Sequence, residues 1–280
     1  MIGGREIQRV RKLCDEYPTL LRPFAYEGAA TGFPLRTIFT GGHKERDFVR
    51  ALHPLGQQYS FMYYIGIGFW CGLVYWPWPD RVRGIVDRQD PFYKYLCYDG
   101  FGFKLGLFQY LKDRNILRQF LYFKDYERNA CFQGFGRSLW FLYMDAPWVI
   151  REQIACLDEP YRADCYSGVG LAVAFTNMDD LQVAFRYVEN IEPKYRGSYF
   201  VGFMLAIYTR RMIDADYLVR CLDLLTDQQR AFASAGLRSC DERFREVNAK
   251  FAEHHYREWR RYLLEDLEEL LSPQAESVSV

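Results

Sequence analysis

A glycine recurs at fixed spacing along most of this chain, and its period limits the fold more than any other feature. The positions are Gly28, Gly66, Gly100, Gly134, Gly168 and Gly202, separated by 38 residues once and by 34 thereafter. Two residues before each stands an aromatic: Tyr26, Tyr64, Tyr98, Phe132, Tyr166 and Phe200. Two residues after stand Ala30, Gly68, Gly102, Gly136, Gly170 and Met204, so the first and last copies depart from the inner ones, as the ends of a repeat array do. Glycine inside a helix costs roughly 1 kcal/mol against alanine, so its regular return predicts backbone packed on backbone at these points.

Apolar runs such as Leu139-Trp140-Phe141-Leu142 follow the glycines, and polar turns lead into second segments of helical period at 81–96, 148–157, 181–188 and 217–225. The expected fold is therefore all-α: six tandem helical hairpins of about 34 residues, forming an α/α toroid or solenoid as one domain over residues 1–271. Residues 253–271 carry Tyr256, Trp259, Leu263, Leu267 and Leu270 on one stripe of an otherwise charged segment, which predicts a C-terminal capping helix. Ser272-Pro273 ends it, and residues 272–280 read as a disordered tail.

Composition removes several function classes. Lysine plus arginine equals aspartate plus glutamate at 36 each, which leaves no net field for nucleic acid or an anionic membrane. The uncharged stretch 61–78 has the length of a membrane span, but its counterparts in other copies contain Asp99, Lys104 and Arg137, so no span is expected. The eight cysteines form no C-x-x-C pair, and Cys97, Cys131 and Cys165 share one position of the 34-residue period. They read as buried, reduced packing residues of a cytoplasmic protein. The N-terminus shows no signal-peptide pattern.

Nucleophile motifs of the G-x-S-x-G type are missing, and the Gly-x-Gly elements lack the preceding strand of a dinucleotide or phosphate loop. With only four histidines, two of them at 254–255 in the charged terminal segment, no metal site is assigned, and no cofactor is called for. What remains is a set of ionisable residues inside apolar first helices: Glu27, Asp99, Lys104 and Arg137. A charge in such a place is paired or has a shifted pKa, so these groups are structural ion pairs or tuned acids and bases. Glu27, Asp99, Gln133 and Ser167 each precede a signature glycine and share a helix face with Thr31, Phe103, Arg137 with Trp140, and Leu171 respectively. Stacked copies would bring this mixed polar and aromatic face to the concave side.

The blocks Phe24-Ala25-Tyr26-Glu27-Gly28-Ala29-Ala30, Tyr98-Asp99-Gly100-Phe101-Gly102-Phe103, Gln133-Gly134-Phe135-Gly136-Arg137-Ser138-Leu139-Trp140-Phe141 and Tyr166-Ser167-Gly168-Val169-Gly170-Leu171-Ala172 cover much of residues 24–210. Together they resemble a bacterial family of unassigned domain function found in gene clusters for enediyne and other polyketide natural products. In that family the third block usually continues to a histidine, where this chain has Lys104. The resemblance implies secondary metabolism and a long, unsaturated, apolar substrate.

The resulting expectation is a natural-product enzyme of cyclase or isomerase type that holds a polyene, polyketide or isoprenoid chain in an aromatic-lined cavity. Protonation and rearrangement of such a chain would use Asp99 and Glu27 as acid or base, with Arg137 pairing or orienting them. Tyr26, Tyr98, Phe103, Lys104, Gln133, Trp140 and Ser167 would line the substrate. The expected partners are this hydrophobic small molecule and other proteins of the same biosynthetic system. Two alternatives stay open: a tetratricopeptide-like interaction scaffold, and a protein that sequesters a metabolite without turnover.

Overall fold

The computed structural model describes residues 4–39, 48–144, 146–251 and 255–272, and among them there is no β-strand. Among the described residues fourteen α-helices follow one another: α1 (Gly4–Asp15), α2 (Arg22–Phe39), α3 (Phe48–Leu52), α4 (Ser60–Val74), α5 (Pro79–Val86), α6 (Tyr95–Phe108), α7 (Asp125–Tyr143), α8 (Pro147–Ala155), α9 (Glu159–Thr176), α10 (Gln182–Tyr187), α11 (Arg196–Ile213), α12 (Ala215–Leu222), α13 (Asp227–Lys250) and α14 (His255–Leu270). The chain forms two compact units, Met1–Phe135 and Gly136–Val280, whose boundary falls inside α7.

In the first unit α2, α4, α6 and the start of α7 lie in sequence, each against the next. The glycines explain how closely they approach. A methyl group on Gly66, Gly100 or Gly134 would overlap the backbone carbonyl of Glu27, Ile65 or Asp99 on the preceding helix. Reciprocally, one on Gly68 or Gly102 would overlap the carbonyl of Cys97 or Cys131 on the following helix. Each signature therefore locks its helix to both neighbours, and both contacts need a residue without Cβ. Gly28, in the first copy, has nothing within 4 Å of the place a methyl would occupy.

The aromatics two positions before the glycines point to an outer layer of shorter segments. Tyr26 stacks on Tyr59 at 3.7 Å and Tyr98 meets Phe123 edge-on at 5.0 Å. Proline opens α5 and α8, where its missing N–H costs nothing. The segment expected over 81–96 is shorter than its period suggests. Helix α5 stops at Val86, and the Asp90 carboxylate accepts from the Phe92 N–H at 2.9 Å beside Pro91, a side-chain turn that ends helical continuation before α6 begins at Tyr95.

The second unit repeats these local devices. Gly136 and Gly170 abut the carbonyls of Cys165 and Tyr199, and Gly202 abuts that of Ser167. A capping bond also recurs with the period. Arg162 and Arg230 each donate to the carbonyls five and seven residues upstream, closing the end of the preceding segment, as Arg22 and Arg128 do in the first unit. Helix α14 covers α11 and α13 and buries Tyr256, Trp259, Leu263 and Leu267, with the Trp259 indole donating to the Cys240 carbonyl at 2.9 Å. Its described part starts at His255, and the expected start at residue 253 lies, with His254, outside the described residues. The tail expected over 272–280 likewise falls outside them from residue 273 on. No helix among the described residues is long and apolar enough to cross a membrane.

Candidate functional site

Asp99 and Gln133 are two expected site residues that the structure joins. Both stand one residue before a signature glycine, on α6 and α7, and each is 1% exposed. The glycine contacts bring the two helices close enough for the Gln133 Nε2 to donate to Asp99 Oδ2 at 2.7 Å. An amide bonded to a buried carboxylate through its nitrogen leaves its own carbonyl to be satisfied. Gln133 Oε1 is buried with no hydrogen-bond partner among the described residues. A buried acceptor in this state costs on the order of 1–3 kcal/mol until a donor reaches it.

Lys104 lies five residues beyond Asp99 on α6, and its methylenes occupy the space above Gly72 of α4. The residue is buried, and no ion pair joins it to a described residue. Burial alone pushes its ammonium down to about 8. An amine in that range loses a proton far more readily than a surface lysine. Beside it, Phe103 packs against Phe69 at 5.9 Å between ring centres, and Phe69 meets Phe108 edge-on. Glu27 is buried on α2, where its backbone carbonyl accepts from the Thr31 hydroxyl at 3.1 Å; the same hydroxyl reaches the Gly66 carbonyl of α4.

Tyr26 and Tyr98 sit elsewhere, in the contact with the outer layer. The Tyr26 hydroxyl donates to Asp15 at 2.8 Å, and burial beside acidic groups raises both phenols well above their ordinary range. Their role there is to tie inner helices to outer ones.

In the second unit Arg137 is buried on α7, and the Trp140 indole donates to the Thr176 hydroxyl at 3.0 Å while its ring meets Tyr187 edge-on. Ser167 is not open to a ligand. Its hydroxyl accepts from Arg260 of α14 at 2.8 Å, and Arg260 also pairs with Asp164 at 3.3 Å, all three largely buried. Sequence periodicity gives no sign of Arg260, because its partners lie on a helix far upstream. Arg210 is a further buried cation, held over the rings of Phe175 at 4.9 Å and Tyr217 at 5.2 Å.

Among the described residues no group of three or more histidine, cysteine, aspartate or glutamate side chains could hold a metal ion. Asp99 and Glu27 supply carboxylates, Gln133 an amide and Lys104 an amine in the first unit, all of them buried. Over residues 1–267 the chain matches the profile of a family described as a protein of unknown function, DUF1702, and it belongs to that family. Comparison with curated proteins and with solved structures yields no match.

Proposed function

We propose that this protein is a natural-product biosynthesis enzyme that binds a long apolar polyene, polyketide or isoprenoid chain and moves protons on it, with Asp99 and Gln133 at the centre of the site. The observation that carries the reading is the buried Asp99–Gln133 hydrogen bond with the Gln133 Oε1 left over as an acceptor. Lys104 supports it with an amine near neutrality, and the rings of Phe69 and Phe103 supply apolar walls. The element we propose for each unit is a helical hairpin repeated about every 34 residues, with α14 as a cap on the second unit. The recurring glycine contacts and arginine caps favour it, and a 34-residue step from Gly202 to Gly236 in α13 extends the period by one copy.

The chemistry needs no redox partner. An acid donates a proton to one end of a carbon–carbon double bond, and the cation formed is consumed by a new carbon–carbon bond or by migration of an existing one. Loss of a proton to a carboxylate or amine restores neutrality. Aromatic faces lower the cost of the transient positive charge. Asp99 and Glu27 serve as acid or base, and Lys104 and Gln133 hold the proton and the substrate in register.

Incubation of the purified protein with linear polyenes in deuterium oxide tests this reading. The expected result is a rearranged product carrying solvent deuterium, lost in Asp99→Asn while the melting temperature and polyene uptake are retained. Uptake without conversion in the unaltered protein would overturn catalysis and leave a sequestering protein. Absence of uptake would overturn both.

A further inference from the structure

Within the second unit, α10, the first turn of α11, α13 and the last turn of α14 enclose a groove of about 880 Å³, with none of Asp99, Gln133 or Lys104 in its lining. We infer that this groove is a binding site for a single-chain amphipathic carboxylate, with the acyl body along its aromatic floor and the carboxylate at Arg196 and Arg238.

The floor consists of Phe185, Phe200 and Phe232, which pack on one another with ring centres 5.8, 4.7 and 6.0 Å apart. Leu270 and Leu271 extend the apolar wall from α14. Phe200 is buried at the base, Phe185, Phe232 and Leu270 are half-buried and Leu271 is exposed, so an alkyl or polyene chain would remove the remaining apolar surface from water. Its volume is within the range of sites for ligands of this size.

Charge selects the headgroup. Three arginines and one acid, Glu189, line the groove. Arg186 is partly engaged by Asp180 at 3.7 Å, whereas Arg238 is exposed and makes no hydrogen bond or ion pair to a described residue. Arg196 uses only its Nε, in a 3.4 Å contact with the Ile191 carbonyl, so its two terminal nitrogens are available. Two planar donor forks beside an aromatic floor suit a carboxylate, which accepts two parallel hydrogen bonds from one guanidinium. An uncharged hydrocarbon would gain nothing from either arginine.

The probe is cis-parinaric acid, a fluorescent polyene fatty acid, compared with its methyl ester below the concentration at which either aggregates. The acid should bind at least about tenfold more tightly than the ester, because charge-assisted hydrogen bonds contribute on that scale. In the double variant Arg196→Gln, Arg238→Gln the acid should fall to the level of the ester while ester binding and melting temperature stay unchanged. Equal affinity for acid and ester, or undiminished acid binding by the double variant, would overturn the inference. So would binding seen only with anionic vesicles, which would mark a membrane-facing patch. Acid binding lost in Asp99→Asn but kept in the arginine variant would also overturn it, and would assign the probe to the first unit.

Discussion

Arg260 donates to the Ser167 hydroxyl at 2.8 Å across 93 residues of sequence, and the same guanidinium pairs with Asp164. Helix α14 is thereby fixed to the polar face of α9 and not merely laid over it. Because both charges are largely buried, removal of one leaves the other uncompensated. Arg260→Met should cost about 3–5 kcal/mol in chemical denaturation, and adding Asp164→Asn should recover a good part of that loss. A single variant as stable as the unaltered protein would show that α14 is held by its apolar stripe alone.

The two kinds of signature glycine should respond oppositely to alanine. At Gly134 a methyl group would collide with the Asp99 carbonyl and the Phe103 backbone, neither of which can move without shifting α6. Gly134→Ala should therefore destabilise by about 1–3 kcal/mol or more. Gly28 faces open space, so Gly28→Ala should gain up to about 1 kcal/mol through helix propensity. Thermal melts of the two variants check both signs.

The glycine period was legible in the sequence because a carbonyl packed against a helix backbone tolerates no side chain, so the constraint is written residue by residue. That Asp99 and Gln133 share a face was legible for the same reason, since both stand one residue before a signature glycine, but the bond between them was not among the expectations. Gly236 escapes the signature because Ser234 stands where an aromatic is expected, although Arg230 keeps the capping position. Phe200 and Arg196 lie on the period, but the groove they help to line was not legible, since its walls come from four helices whose order along the chain does not predict their meeting. Ser167 shows the limit of position alone. Its offset matches Asp99 and Gln133, yet a helix more than ninety residues away occupies its hydrogen bond.

Thiol labelling should separate the cysteines by burial. Cys97, Cys131 and Cys165 are each fully buried, with their carbonyls under the glycines of the preceding helix, and desolvation raises their thiols far above the ordinary range. Cys156 is exposed. In native protein a maleimide should modify Cys156 promptly and leave the other three untouched until denaturant is added, as read by peptide mass analysis. Early modification of Cys131 would mean that the α6–α7 contact opens readily.

Lys104 gives a pH dependence whose sign is fixed. Its ammonium is pushed by burial down to about 8 from an ordinary 10.5. Below pH 8 folded and unfolded chains both carry the proton, and folding bears the full cost of desolvating it. Between 8 and 10.5 the unfolded chain binds more protons, so this group makes stability rise with pH; above that both forms are neutral and the cost is gone. The buried thiols act in the opposite sense, since raised values make stability fall as pH passes the ordinary cysteine range. The contribution of Lys104 is therefore read as the difference between the unaltered protein and Lys104→Met. That variant should be more stable by about 1–3 kcal/mol at pH 7, with the advantage shrinking toward zero by about pH 10.5. A difference independent of pH would show that the Lys104 amine keeps its ordinary proton affinity in the folded protein, and would remove it from the proton-moving set around Asp99.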